Sequence, residues 1–80
     1  MLAEITITFK NTVADPQGLT IKHGLEALGF EHLGDVRMGK FICIKLNETD
    51  KTVAIKKVET MCQKLLANPI IEEYSIEIKE

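Results

Sequence analysis

The chain carries no basic excess: its formal net charge is −2 at pH 7. Non-specific nucleic-acid binding, which draws on clustered lysine and arginine, is therefore disfavoured. It has no apolar run long enough to span a bilayer. Met1-Leu2-Ala3-Glu4 is not a basic region followed by an apolar block, so no signal peptide is read and the cytoplasm is expected. There are only two cysteines, Cys43 and Cys62, and no C-x-x-C pair. Both are expected as reduced, packed thiols, because disulfides are rare in the cytosol. No G-x-x-x-x-G-K-[S/T] loop is present to cradle a nucleotide phosphate.

What is present is ordinary globular material. Apolar residues make up 45% of 80 residues, enough for one folded domain, 1–80, and too many for disorder. A chain this short buries only about 60–65% of its unfolded surface, and oligomerisation is a common way to bury more.

The pattern is organised around Leu33 to Leu46, read as two short strands meeting at Met38-Gly39-Lys40. Before it, Ile5, Ile7 and Phe9 alternate with Thr6 and Thr8, the period of a strand with one buried face. Asp15-Pro16 starts a helix: the aspartate caps free N–H groups and the proline needs none. Ile21, Leu25 and Leu28 share one helical face with Gly24, where close approach to a sheet is expected. Gly29 ends the helix and Phe30 is expected to fold back onto the core. Leu19 points the other way and would fit a subunit contact.

Val36 and Met38 mark a second strand, and Phe41 to Leu46 a third with Ile42, Ile44 and Leu46 inward. Phe41 and Cys43 then point outward, where a one-sided sheet should be polar. That predicts a second chain over this face. Thr49 or Asp50 caps a second helix, with a stripe of Ala54, Val58, Met61, Cys62 and Leu65 flanked by Ile55 and Leu66. Pro69 stops it. Tyr74, Ile76 and Ile78 form a last strand, guarded by Glu72-Glu73 and Lys79-Glu80. The expected fold is α+β: a ferredoxin-like βαββαβ sandwich, with a four-stranded antiparallel sheet and two helices on one face.

Chemistry is thin. His23 and His32 share no motif with a nucleophile or carboxylate and read as solvated. Glu31, His32 and Asp35 lack a further ligand at metal spacing. Arg37, Gly39 and Lys40 put two cations at one turn, but Asp35 lies on the same side as Arg37, so an ion pair or partner contact is favoured over phosphate.

Four motifs in order, Val13-x-Asp15-Pro16-Gln17-Gly18, Leu25-x-x-Leu28-Gly29-Phe30, Asp35-Val36-Arg37-x-Gly39-Lys40 and Leu65-Leu66-Ala67-Asn68-Pro69-x-Ile71-Glu72-x-Tyr74, span nearly the whole chain. Together they resemble the PurS family, small subunits of phosphoribosylformylglycinamidine (FGAM) synthase in purine synthesis. Asn11-Thr12 departs from the Pro-Gly turn of many members, which alters a loop. The resemblance implies a subunit without an active site of its own. It would associate with itself as a dimer or tetramer, and join a glutaminase subunit to a large synthetase subunit while assisting ammonia transfer. The complex would use ATP, Mg and glutamine; this chain would bind none of them. Asp15, Gln17, Arg37 and Lys40 are the candidate partner contacts, with plain helix capping an equal reading for Asp15. Phe41, Cys43 and Leu19 are the candidate self-contacts. The alternatives are an ACT-like regulatory module that binds a small molecule between subunits, and an RNA-binding sheet, which a single outward aromatic supports poorly.

Overall fold

The computed structural model describes residues 1–80. Strand β1 (Leu2–Phe9) leads through a short turn to helix α1 (Pro16–Ala27). An extended segment then reaches β2 (Gly39–Lys45), followed by helix α2 (Lys51–Met61), one π-helical turn (Cys62–Leu66) and β3 (Glu72–Lys79). The strands form a single antiparallel sheet in the order β2-β1-β3. Ile5 sits between Ile42 and Ile76, and Thr6 between Phe41 and Ser75. β2, α2 and β3 thus form a split βαβ unit with β1 threaded between the two parallel strands.

The core lies between this sheet and α2. Ile5, Ile7, Val58 and Cys62 are fully buried, joined by Ala3, Ala54, Ala67 and Ile78. The alternation in β1 produces this directly, since every second side chain faces α2. Burial and the nearby Glu59 push the Cys62 thiol above its ordinary pKa, which keeps it protonated and unreactive. Asp50 caps α2 by accepting the Thr52 N–H at 2.9 Å. On the outer sheet face Lys79 Nζ lies 2.8 Å from Glu4 Oε1, which holds the lysine above its usual pKa. Phe41 and Cys43 are exposed there, on the face expected for them.

Four expectations need correction. The sheet has three strands, not four, because residues around Val36 do not pair with β2. Their polar groups are drawn elsewhere: the Met38 N–H donates to Asp15, and Arg37 donates to carbonyls of the β1–α1 turn. The turn placed at Met38-Gly39-Lys40 is therefore no hairpin; Gly39 simply opens β2. Second, α1 does not lie on the sheet. Gly18 is its only buried residue, Ile21 and Leu28 are exposed, and no side chain of α1 joins the core. Third, a Cβ built at Gly24 would meet nothing within 4 Å outside its own helix, and Phe30 is exposed rather than folded inward. Fourth, Leu65 leaves the α2 stripe. The π-helical turn, closed by the Ala67 N–H on the Cys62 carbonyl, inserts an extra residue. That rotates Leu65 outward and puts Leu66 against the core.

The result is an elongated molecule, 49 × 26 × 15 Å. Its radius of gyration is 16.0 Å, against about 12 Å for a compact chain of this length. All of the chain's own core depends on β1 and α2. Ile5→Ala should therefore lower stability by roughly 2–5 kcal/mol, the usual cost of emptying such a site. Thermal unfolding followed by circular dichroism checks this; an unchanged midpoint would contradict the assigned core.

Candidate functional site

The residues singled out from sequence converge where β1 ends, α1 begins and the extended segment arrives. Asp15 is the pivot. Its side chain is 1% exposed, unusual for a carboxylate. Oδ1 accepts the Gly18 N–H at 2.9 Å, capping α1, and Oδ2 accepts the Met38 N–H at 2.7 Å. One carboxylate therefore ties together two segments more than twenty residues apart.

Arg37 completes the latch. Its Nη2 donates to the carbonyls of Lys10 at 3.0 Å and Val13 at 2.9 Å, while Nε stands 4.0 Å from Asp15 Oδ2. Gly18 allows the close approach. A Cβ built there would lie 2.1 Å from the Val36 carbonyl oxygen. No side chain larger than hydrogen fits without moving backbone.

These contacts set the charge state. The hydrogen bonds from Gly18 and then Met38 hold Asp15 below its ordinary 3.8, aided by Arg37 and opposed by burial.

Gln17 and Lys40 face a neighbouring cleft of about 160 Å³, shared with Phe9, Met38 and Glu72. Lys40 Nζ lies 3.5 Å from Glu72 Oε2, and Glu72 Oε1 accepts the Asn68 N–H at 2.7 Å. Asp15 and Arg37 line a second cleft of about 330 Å³, with Leu19, Lys22 and Asp35. The four candidate partner contacts thus form one region. Two of them, Asp15 and Arg37, are engaged by the chain's own backbone; Gln17 and Lys40 present outward.

The three candidate self-contacts do not form one patch. Phe41 and Cys43 share the outer sheet face, whereas Leu19 lines the larger cleft on α1. Sequence reasoning also missed a set of exposed apolar residues: Ile21, Leu28 and Phe30 along the arm, and Leu65 and Ile70 at the other helix end. Periodicity carries no warning here. A helix that packs on its own sheet and one that packs on another chain show the same stripe.

His23 and His32 are exposed, and His32 lies only near Glu31, at 3.9 Å. No three His, Cys, Asp or Glu side chains converge as metal ligands. Nor do Cys43 or Cys62 have a histidine partner among the close contacts of the chain. Fold and junction together define a class: a small α+β protein whose polar junction is held by its own backbone and which leaves several large apolar side chains outside its core exposed.

Comparison with known proteins gives the particular family. The family model for PurS, phosphoribosylformylglycinamidine (FGAM) synthase, matches residues 2–80. The PurS subunit of Archaeoglobus fulgidus FGAM synthase is 38% identical over 80 residues, the whole of both chains. That of Bacillus subtilis is 35% identical over 77 residues, 96% of this chain and 90% of the relative. The crystal structure of Methanocaldococcus jannaschii PurS superposes with a TM-score of 0.88 at 38% identity, covering 99% of this chain and 95% of that one. A chain in the structure of PurLQS from Thermotoga maritima superposes with a TM-score of 0.81 at 32% identity, covering 96% of each. The chain belongs to the PurS family of FGAM synthase subunits.

The latch generates two predictions. Gly18→Ala should cost roughly 1–3 kcal/mol in urea unfolding, as overpacking against fixed backbone usually does. Asp15→Asn should lower the thermal midpoint at pH 7 by more than Asp50→Asn, which removes only an exposed cap. The Asp15 contribution is present above the unfolded pKa near 3.8 and is lost as pH falls through the lower folded value. The gap between wild type and Asp15→Asn should therefore close in strong acid. A gap independent of pH would contradict the assigned role.

Proposed function

We propose that this chain is the non-catalytic small subunit that bridges the glutaminase and synthetase subunits of FGAM synthase and assists ammonia transfer between them. The reaction served is the ATP- and glutamine-dependent conversion of formylglycinamide ribonucleotide to formylglycinamidine ribonucleotide. The observation that carries this reading is the likeness over nearly the full length to a chain of the PurLQS structure.

The physical logic follows. Ammonia released into water at neutral pH is largely protonated and loses its nucleophilic lone pair. A closed path between two active sites prevents that loss. Holding two enzymes in register needs a rigid body with more than one docking surface. The Asp15–Arg37 latch provides rigidity at the junction, and the clefts beside it provide surface.

Gln17 and Lys40 make the direct partner contacts in this reading. Asp15 and Arg37 act through them, by fixing the backbone that presents Lys40. Phe41 and Cys43 on the outer sheet face form a contact with a further copy of the chain. ATP, Mg and glutamine belong to the partner enzymes.

The test is reconstitution. Product formation by the large synthetase and glutaminase subunits is assayed with and without this chain, using glutamine or high ammonium chloride as nitrogen source. Glutamine-dependent turnover should require the chain, and ammonium-dependent turnover should change little. Lys40→Ala should weaken assembly roughly tenfold, the equivalent of about 1.4 kcal/mol. If Arg37→Ala and Lys40→Ala leave both assembly and glutamine-dependent turnover unchanged, the partner assignment is wrong.

A further inference from the structure

Glu72, the first residue of β3, is a carboxylate that the latch does not use. Its side chain is only 11% exposed, and its position is fixed from two sides. Oε1 accepts the Asn68 N–H at 2.7 Å, and the Glu72 N–H donates to the Asn68 carbonyl at 2.7 Å. The turn so closed is tied down further. Asn68 Oδ1 accepts the Ile70 N–H at 3.1 Å, and the Ile71 carbonyl accepts the Lys10 N–H at 2.9 Å. Lys10 offers its own carbonyl to Arg37. The Asn68 turn and the Asp15–Arg37 latch are therefore parts of one frame.

Lys40 is the group this frame acts on. Lys40 continues the row of Ile42 and Ile44 on β2, and Glu72 the row of Tyr74, Ile76 and Ile78 on β3, so both side chains emerge on the inner face. They meet across the end of β1, where Ile7 stands opposite Lys40 and Phe9 opposite Glu72. Nζ and Oε2 are 3.5 Å apart, with Lys40 57% exposed. So loose and solvated an ion pair adds little to stability. What it adds is direction. A free lysine samples many rotamers, and freezing them is a cost of binding. Here a carboxylate that cannot move holds the ammonium beside the cleft of about 160 Å³ that both residues line. One N–H toward Glu72 leaves the other donors of Lys40 free for a partner.

We infer that Glu72 is a positioning residue for Lys40: its fixed carboxylate aims the ammonium at the partner enzyme, so the charge on Glu72 serves assembly more than folding. This rests on the reading of Lys40 as a direct partner contact and names what orients that contact. Glu72 does not touch the partner itself. Its oxygens are turned to groups of the chain, Oε1 to Asn68 and Oε2 to Lys40.

The test separates the two contacts of Glu72. Glu72→Gln keeps an amide oxygen for the Asn68 N–H and puts an NH2 group toward Lys40, which removes the attraction while the turn stays closed. Glu72→Ala removes both contacts. Thermal unfolding should leave Glu72→Gln close to wild type and lower the midpoint of Glu72→Ala. Assembly with the synthetase and glutaminase subunits, followed by sedimentation, should weaken roughly 3- to 10-fold for Glu72→Gln, the size expected when one side chain is no longer held in place. Glu59→Gln, which removes one charge from an exposed position of α2, should assemble like wild type. The deciding variant combines Lys40→Ala with Glu72→Gln: it should assemble no worse than Lys40→Ala alone, because without the ammonium there is nothing left to aim. If the two losses multiply instead, or if Glu72→Gln assembles like wild type while Lys40→Ala does not, the positioning role is overturned and the bridging function stands. A midpoint as low for Glu72→Gln as for Glu72→Ala overturns it too. If Lys40→Ala itself assembles like wild type, the partner assignment of Lys40 falls and this inference falls with it.

Discussion

The buried carboxylate of Asp15 is the constraint from which the rest of the structure follows. A charged group this deeply buried is tolerated only when its oxygens are fully paired. Here the pairing partners are main-chain N–H groups of two separate segments, with a guanidinium beside them. Satisfying that one group fixes where α1 starts, which way it points and where the chain must enter β2. It also draws residues 36–38 away from the sheet edge.

The consequence is a division of labour along the molecule. One end is a small sandwich of β1, β3 and α2 with a conventional aliphatic core. The other end is an arm whose apolar side chains do not join that core and are mostly exposed. An isolated 80-residue monomer gains little by such an arrangement, because surface that could have been buried is left in water. A subunit gains a rigid projecting surface at defined orientation. For a protein of the PurS family, whose fold offers shape and surface, that is the feature to expect.

Much of this was legible in the residues. Alternation identified β1 and β3, and the caps read at Asp15 and at Thr49 or Asp50 placed both helix starts, Asp50 being the one the structure uses. The outward direction of Phe41 and Cys43 followed from period two in β2. The errors share a cause. Val36 and Met38 look like strand residues, but a strand needs free backbone donors facing its neighbour, and Met38 gives its donor to Asp15. The Ile21–Leu25–Leu28 stripe predicts a covered face and says nothing of which chain covers it. Leu65 was misplaced because a single π-helical turn shifts the phase of a stripe without any change in composition. Of the candidate site, Asp15, Gln17, Arg37 and Lys40 were named from their motifs, but their grouping at one junction was not read from the sequence. That Asp15 and Arg37 work inward on backbone, and Gln17 and Lys40 outward, depends on distances that no spacing reveals.

The central claim is that this chain supplies register between two enzymes and no chemistry of its own. The most direct measurement is the ratio of formylglycinamidine ribonucleotide formed to glutamate released by the assembled synthetase and glutaminase. With the chain present the ratio should stand close to one. Without it, the ratio should fall as ammonia is lost to solvent, or the rate of both products should collapse together if glutamine hydrolysis stops. A ratio and rate that are the same in its presence and absence would contradict the account.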